Sequence, residues 1–237
     1  MSAADQKRAA GEAAAALVET GMTVGLGTGS TAAWFVIALG GRIRDEGLAL
    51  RCVATSRGTK TLAAEHGVPV IDLDEALDCV DLTVDGADEI GPGLALIKGG
   101  GGALLREKLV WTASRRCVVI ADAAKVVDRL GDFGLPVEVA AFGHGSTARR
   151  IDGLLRELGY AVAPRLRTVG GAPFVTDNGG LIYDLPLGAI DDPQALADGL
   201  KALVGVVEHG LFLNLAAQAL VGGPGGVAVL APDGTRL

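Results

Sequence analysis

The chain has 237 residues, of which 49% are hydrophobic and 21% are charged, and its formal net charge is −7. That length and hydrophobic fraction suffice for one large domain or two modest ones with a proper core. The acidic balance and the lack of a basic block argue against a nucleic acid or a phospholipid surface as partner, so any phosphate bound here belongs to a small molecule.

Residues 1–18 carry acidic and basic side chains where a signal peptide needs an uninterrupted apolar core, and no apolar run reaches membrane-spanning length. We therefore expect a cytoplasmic protein with no membrane partner. Cys52, Cys79 and Cys117 each stand in a strand-like run. That setting is typical of small buried hydrophobic side chains rather than of a metal or redox site.

Up to about residue 133, strand-like and helix-like segments alternate. This pattern predicts an α/β fold with a Rossmann-like, mostly parallel sheet and helices on both of its faces. The predicted strands are 22–27, 50–55, 68–73, 78–85, 94–98 and 116–122, and the predicted helices are 32–46 and 59–66. Such sheets bind ligands at the carboxyl ends of their strands, where every polar or glycine-rich motif of this half falls.

The first motif, GLGTGST at 25–31, follows a strand and opens a helix. A dinucleotide fingerprint would need glycine where Ser30 stands, and a Walker A loop would need a following Gly-Lys-Ser/Thr. What remains is a loop whose backbone N–H groups and hydroxyls, those of Thr28, Ser30 and Thr31, suit a phosphate or sugar hydroxyls. A merely tight strand-to-helix turn is the alternative. The hydroxyls of ATSRGT at 54–59 either line the same crevice or cap a helix.

The motif DGADEI at 85–90 places Asp85 at the tip of a strand and Asp88 in the loop beyond it. Two close acids can divide acid and base duties or bind a metal. The metal hypothesis lacks further ligands, since the loop holds no histidine and no acidic residue beyond Glu89. Capping of the following turn is the alternative.

The segment KGGGGALLRE at 98–107 joins four glycines to the start of a predicted helix, which leaves backbone N–H groups free to face an anion. At helical spacing Glu107 shares a face with apolar residues, Trp111 among them. Such surroundings raise the pKa of a carboxylate toward the range of a general base. The alternative is a surface glutamate held by Arg106 and Lys108. Lys125, after the sixth strand, either reaches the ligand or is solvated.

After Phe133 the pattern becomes strand, helix, strand, strand and helix with short turns, and Asn178-Gly179 marks a hairpin turn. We predict a large α/β catalytic domain over 1–133 and a smaller α+β (ferredoxin-like) domain over 134–206. Because 227–234 is again strand-like, the C-terminal segment 207–237 is expected to return to the large domain.

The motifs GLGTGSTA, TSRGT, DGADEI, KGGGGALLREK, DAAKVVDRLG, LPVEV, PFVTDNGG and GLFLN resemble, in order and spacing, ribose-5-phosphate isomerase of the A type. The resemblance covers nearly the whole chain. It implies interconversion of D-ribose 5-phosphate and D-ribulose 5-phosphate in the pentose phosphate pathway by a homodimer, without metal or organic cofactor. The chain departs from the family at Gly180, where asparagine is usual, and at Leu203–Val207, where Ile-Pro-Gly-Val-Val is usual.

Carried over onto matching positions, Glu107 would move a proton between C2 and C1 through an enediolate, and Asp85 would assist opening of the furanose ring. Lys98 and the glycine amides after it would stabilise the enediolate oxygen. The substrate-binding residues implied are Thr28, Gly29, Ser30, Thr31, Asp85, Gly86, Ala87, Asp88, Lys98, Gly99, Gly100, Gly101 and Lys125, with 28–31 and Lys125 at the phosphate end. A sugar-phosphate sensor domain of the same fold is the alternative, but the short stretch before the first strand leaves no room for a DNA-reading module.

Overall fold

The computed structural model describes residues 1–76 and 79–235. Part of the predicted strand 78–85 and the end of the predicted segment 207–237 lie outside the described residues. The α-helices, α1 to α6 in chain order, are Ala3–Ala15, Ser30–Glu46, Arg57–Glu65, Leu104–Thr112, His144–Glu157 and Pro193–Ala202. The strands, β1 to β16 in chain order, are Thr23–Leu26, Arg51–Ala54, Val70–Ile71, Val80–Gly86, Glu89–Ile90, Leu96–Ile97, Ser114–Asp122, Leu135–Val139, Arg165–Leu166, Thr168–Val169, Ala172–Pro173, Leu181–Leu185, Val206–His209, Leu211–Phe212, Gln218–Gly223 and Gly226–Leu230.

A seven-stranded sheet, called the large sheet below, has the order β16-β15-β7-β4-β1-β2-β3. All its neighbours run parallel except β16, which pairs antiparallel with β15. Alternate residues of β7 face opposite sides, as the pleat of a strand requires. Val118 and Ile120 join a core with α1 and α2, whereas Val119 and Ala121 join a core with Trp111 of α4. The predicted mostly parallel α/β sheet with helices on both faces is confirmed.

The predicted strand 94–98 is shorter than expected and does not join the large sheet. Its ordered part, β6, pairs antiparallel with β5 and with β14 in a three-stranded sheet of its own. The reason is local, because Gly91, Pro92 and Gly93 turn the chain straight back after β5, with Gly93 at φ 69. This hairpin carries Lys98 at its end.

A second sheet, called the small sheet below, is antiparallel and has the order β13-β8-β12-β9. It shares one core with α5 and α6, in which Val137, Ile151 and Leu200 are fully buried. The predicted turn at Asn178-Gly179 lies between Val175 and Leu181, which form an antiparallel bridge.

Strand β13, residues 206–209, pairs with β8 in the small sheet, and the chain then crosses back, because β15 and β16 are strands of the large sheet. The division into domains at 133 and at 206 stays a prediction. Within the described residues, no helix is both long enough and apolar enough to cross a membrane.

Candidate active site

The carboxyl ends of β1 and β4 meet at one edge of the large sheet, because Val24 and Leu26 lie beside Leu82 and Val84. The loop after β1 thereby reaches the tip of β4, and the Thr28 N–H donates to Asp85 Oδ1 at 3.0 Å. A side chain at Gly27 is impossible here, since its Cβ would lie 2.2 Å from the same Asp85 oxygen.

A cleft of about 130 Å³ opens above these strand ends. That volume suits a small ligand rather than a nucleotide. Its lining residues are Lys7, Thr28, Gly29, Ser30, Thr31, Gly86, Ala87, Asp88, Lys98, Gly99, Gly100, Gly101, Glu107 and Lys125. The structure thus brings the predicted site residues to one place. Asp85 differs from the others because it is fully buried beneath the cleft.

Lys98 is the cation at the centre of this arrangement and is only 2% exposed. Its Nζ lies 3.0 Å from Asp85 Oδ2 and 3.1 Å from Glu107 Oε1, and it also donates to the Gly86 carbonyl. The rings of Trp111 and Phe212 flank it. Burial alone lowers the pKa of this ammonium, but the two carboxylates more than offset that effect and leave the pKa raised. Lys98 therefore remains charged.

Glu107 lies on α4 and is 4% exposed, so the surface alternative is wrong for this residue. Arg106 and Lys108 bind Asn178 and Glu208 instead. Burial raises the pKa of Glu107, and the charges of Asp85 and Asp88 add to that effect against the opposing effect of Lys98, so the pKa reaches about 8.

The second oxygen of this carboxylate, Glu107 Oε2, is buried and has no hydrogen-bond partner within the described residues. A buried carboxylate oxygen without a donor is unusual and costly. Because Glu107 also lines the cleft, this oxygen is available to a ligand proton.

Asp85 and Asp88 differ in burial and in hydrogen-bond partners. The Asp85 carboxylate accepts hydrogen bonds from the N–H groups of Thr28 and Gly86 and from Trp111 Nε1, in addition to its ion pair with Lys98. Asp88 is half-buried on the cleft wall, where its Oδ2 accepts from the Gly100 N–H at 2.8 Å. Neither residue caps a helix, so the capping alternative does not describe them.

The glycine loop, residues 99–102, enters α4 as predicted. Gly99 and Gly102 have φ of 106° and 79°, and the Gly102 N–H closes a turn on the Gly99 carbonyl. Other residues rarely adopt these angles. Ala103, the residue before α4, forms no side-chain cap with the first turn of the helix, so the first amides of α4 have no such partner.

The cleft also reaches the N-terminus of α2, where Ser30 and Thr31 form the first turn and no side chain of the described residues caps the helix. Lys7 and Lys125 contribute ammonium groups to the same wall, and Lys7 Nζ donates to Ser30 Oγ at 3.0 Å. Free amides at a helix start beside two cations make an anion site.

Lys7 is missing from the sequence-based prediction. Its position in α1 looks like that of any surface lysine, and it reaches the cleft only because α1 packs along α2. Nothing in the sequence around it signals a ligand.

The hydroxyl of Thr28 is engaged within the protein rather than left open. It lies 2.7 Å from Thr55 Oγ1 and 2.9 Å from Ser56 Oγ, and Ser56 caps α3 through the Thr59 N–H. For the 54–59 segment, the capping alternative is therefore the correct one. Thr28 lines the cleft, but both its N–H and its hydroxyl are engaged within the protein. In the part of the chain that the structure describes, no group of three or more His, Cys, Asp and Glu side chains is placed to hold a metal ion.

Comparisons with known proteins agree with one another. The sequence profile described as "Ribose 5-phosphate isomerase A (phosphoriboisomerase A)" matches residues 51–226. A Caulobacter vibrioides (strain NA1000 / CB15N) protein named ribose-5-phosphate isomerase A is 61% identical over 98% of this chain and 100% of that protein. The solved ribose 5-phosphate isomerase A of Methanocaldococcus jannaschii is 40% identical, with a TM-score of 0.89 over 97% of this chain and 100% of that one. A solved D-ribose-5-phosphate isomerase in complex with phospho-erythronic acid is 36% identical, with a TM-score of 0.88 over 98% of this chain and 100% of that one.

The raised pKa of Glu107 predicts a pH dependence of stability. Between the ordinary value of 4.5 and about 8, the folded chain keeps a proton that the unfolded chain has lost. The resulting stabilisation is complete below about pH 4.5 and is lost as the pH rises through about 8. Glu107→Gln cannot titrate. From about pH 5 to about pH 8, the free energy of unfolding of the parent, measured relative to that of Glu107→Gln, should therefore fall by about 1 kcal/mol per pH unit.

Urea denaturation at several pH values measures this difference. Glu65→Gln, which changes an exposed glutamate of α3, serves as control and should follow the parent at every pH. Parallel pH curves for the parent and Glu107→Gln would show that folding does not raise the Glu107 pKa.

Proposed function

This chain belongs to the ribose 5-phosphate isomerase A family, and from that premise we propose how its cleft interconverts D-ribose 5-phosphate and D-ribulose 5-phosphate. The alternative of a binding domain without catalysis falls away, since the relatives that match the full chain are named as isomerases. The observation that carries the assignment of roles is the free Oε2 of Glu107, buried beside Lys98 and the glycine loop.

Glu107 is the base in this proposal. Its Oε2 takes the proton from C2 of the open-chain aldose, an enediolate forms, and the same carboxyl returns the proton to C1 while the proton of the C2 hydroxyl passes to the C1 oxygen. A pKa of about 8 keeps the carboxylate within reach of neutral pH and makes its conjugate acid a ready donor. Lys98 and the glycine amides offset the negative charge that develops on the oxygen.

For Asp85 we propose a part that differs from the one that the family resemblance implies. Its carboxylate has no exposed surface and is already bound by Lys98, Trp111 and two backbone amides. We propose that Asp85 acts indirectly by holding Lys98 charged and in place. Asp88, which lines the cleft, is then the carboxylate that assists opening of the furanose ring.

The phosphate of the substrate binds at the start of α2. The backbone amides there, the hydroxyls of Ser30 and Thr31, and the ammonium groups of Lys7 and Lys125 together provide the donors that a phosphate needs. The phospho-erythronic acid in the complex of a relative combines a phosphate with a short polyhydroxylated chain, and we infer the same class of ligand for this cleft.

Glu107→Gln should lower kcat for isomerisation by roughly three orders of magnitude, because the amide cannot accept the C2 proton. Affinity for ribose 5-phosphate, measured by calorimetry, should stay within about threefold of the parent, since the phosphate end is unchanged. Turnover is followed as formation of ribulose 5-phosphate. The exposed Glu65→Gln is the control and should behave like the parent, whereas turnover of Glu107→Gln at the parent rate would refute the assigned base.

Lys7→Met and Lys125→Met should each raise the KM for ribose 5-phosphate about tenfold and leave kcat nearly unchanged, because each removes a charged donor to the phosphate. Steady-state kinetics measure both constants. Lys60→Met, at an exposed lysine of α3, is the matched control. An unchanged KM in both variants would place the phosphate elsewhere.

We also propose that the enzyme works in the cytoplasm as a homodimer. Support comes from the family resemblance and from exposed apolar side chains such as Phe142 and Val204, which are 98% and 79% exposed. Light scattering should give about twice the chain mass of 23.9 kDa. A mass equal to that of a single chain would count against the dimer.

A further inference from the structure

The glycine loop is contacted by an arginine that is not among the residues lining the cleft and that the proposed chemistry does not use. Arg167 stands between β9 and β10, and its Nη1 donates to the carbonyl oxygens of Gly99 at 2.9 Å and Gly100 at 3.1 Å. Its side chain is 14% exposed. Arg167 thus ties the small sheet to two consecutive peptide groups of the loop.

Arg167 is itself held on two further sides. Its Nε donates to Asp184 Oδ2 at 2.9 Å and its Nη2 pairs with Asp184 Oδ1, so the carboxylate grips the guanidinium at two points. The Phe174 ring centre lies 5.9 Å from the guanidinium carbon. The same ring fills the space beside Gly102, where an added Cβ would lie 2.4 Å from it. Contacts other than those with the loop therefore fix the position of the guanidinium.

The contacts of Arg167 help to set where the loop amides point. In a trans peptide the C=O and the following N–H point in opposite directions. Because Arg167 holds the Gly99 carbonyl on one side, the Gly100 N–H points to the other, where Asp88 accepts it at 2.8 Å. By the same rule, the Gly101 N–H points away from Arg167. Gly101 lines the cleft, and its N–H has no hydrogen-bond partner among residues 1–76 and 79–235.

Glycine peptide planes rotate easily, because no side chain restricts them. A donor serves the transition state well only when its direction is fixed in advance, so that no reorganisation is needed as charge develops. The loop is exposed at Gly100 and Gly101, and packing alone does not fix it there. Hydrogen bonds hold it instead: Asp88 accepts from the Gly100 N–H, the Gly102 N–H donates to the Gly99 carbonyl, and Arg167 donates to the Gly99 and Gly100 carbonyls. The bond from Arg167 is the one that acts on the Gly100–Gly101 peptide group.

We propose that Arg167, held by Asp184, is a positioning residue that sets the peptide planes of Gly99–Gly101 so that the Gly101 N–H is aimed at the enediolate oxygen. The proposal rests on the proposed function, in which the loop amides stabilise that oxygen. Arg167 itself touches no reacting atom.

Arg167→Met keeps much of the side-chain bulk and removes every donor. We expect kcat to fall about 10- to 100-fold while the KM for ribose 5-phosphate changes less than about threefold, since the phosphate binds at α2. Arg167→Lys should recover part of the loss, because one ammonium cannot donate to two carbonyls and also grip Asp184 at two points. The control is Arg165→Met, at an exposed arginine of β9, which should match the parent.

A binding measurement separates positioning from general damage. Calorimetry should show affinity for phospho-erythronic acid, whose carboxylate places charge near the loop, falling in Arg167→Met by about the same factor as kcat/KM. Affinity for inorganic phosphate should stay unchanged, and the pH midpoint of kcat, which reports Glu107, should stay at the parent value. If Arg167→Met does not fold, Asp184→Asn, which loosens the grip on Arg167, should give a smaller loss with the same pattern.

The proposal is overturned if kcat of Arg167→Met lies within about twofold of Arg165→Met, or if affinity for both ligands falls equally. The same applies to Asp184→Asn where that variant is used. Failure of the proposed function would look different, because Glu107→Gln would then retain activity. The calorimetric comparison does not depend on turnover, so it tests the positioning role of Arg167 even in that case.

Discussion

The buried ammonium of Lys98 lies between two carboxylates, and the rest of the site depends on this contact. With all three groups ionised, the cluster would carry one net negative charge, which a buried environment penalises heavily. A proton on Glu107 makes the cluster neutral, and this is why the pKa of Glu107 rises to about 8 while Lys98 stays charged. The raised pKa of Glu107 thus comes first from its burial and then from the charge of Asp85, which the charge of Lys98 only partly offsets.

Each member of the cluster comes from a different part of the fold. Asp85 is the last residue but one of β4 in the large sheet, Lys98 follows the β5–β6 hairpin, and Glu107 lies on α4. The Lys98 backbone is fixed by a hydrogen bond from its N–H to the Gly210 carbonyl. On α4, Lys108 donates to Glu208 of the small sheet at 2.8 Å, and its Nζ lies 4.7 Å from the Phe212 ring. Nζ of Lys98 lies 5.4 Å from the centre of the same ring. The small sheet therefore helps to hold Glu107 and Lys98 in position relative to each other.

Sequence periodicity predicted the parts of the site that arise locally. Glu107 was identifiable because helical spacing groups it with apolar residues, and Asp85 because it ends an alternating strand. Features that depend on long-range packing were not visible. Lys7 reaches the cleft through the packing of α1 on α2, and β6 leaves the large sheet because its flanking turn favours a hairpin. Arg167 was missed for the same reason, since its partners at Gly99 and Gly100 lie far away in sequence.

In the proposed function, the two sheets contribute to opposite ends of a bound sugar phosphate according to what each end requires. A phosphate needs several donors and tolerates some freedom, and the large sheet provides them at the exposed start of α2 with two lysines. The reacting carbons need donors with fixed directions, and here residues of the small sheet and its hairpin hold both α4 and the glycine loop, through Asn178, Glu208 and Arg167. Because the reacting end is built from two units that are distant in sequence, its geometry depends on their docking as well as on the chemistry of the residues themselves. Substitutions in the small sheet should therefore act mainly on kcat, and substitutions around α2 mainly on KM.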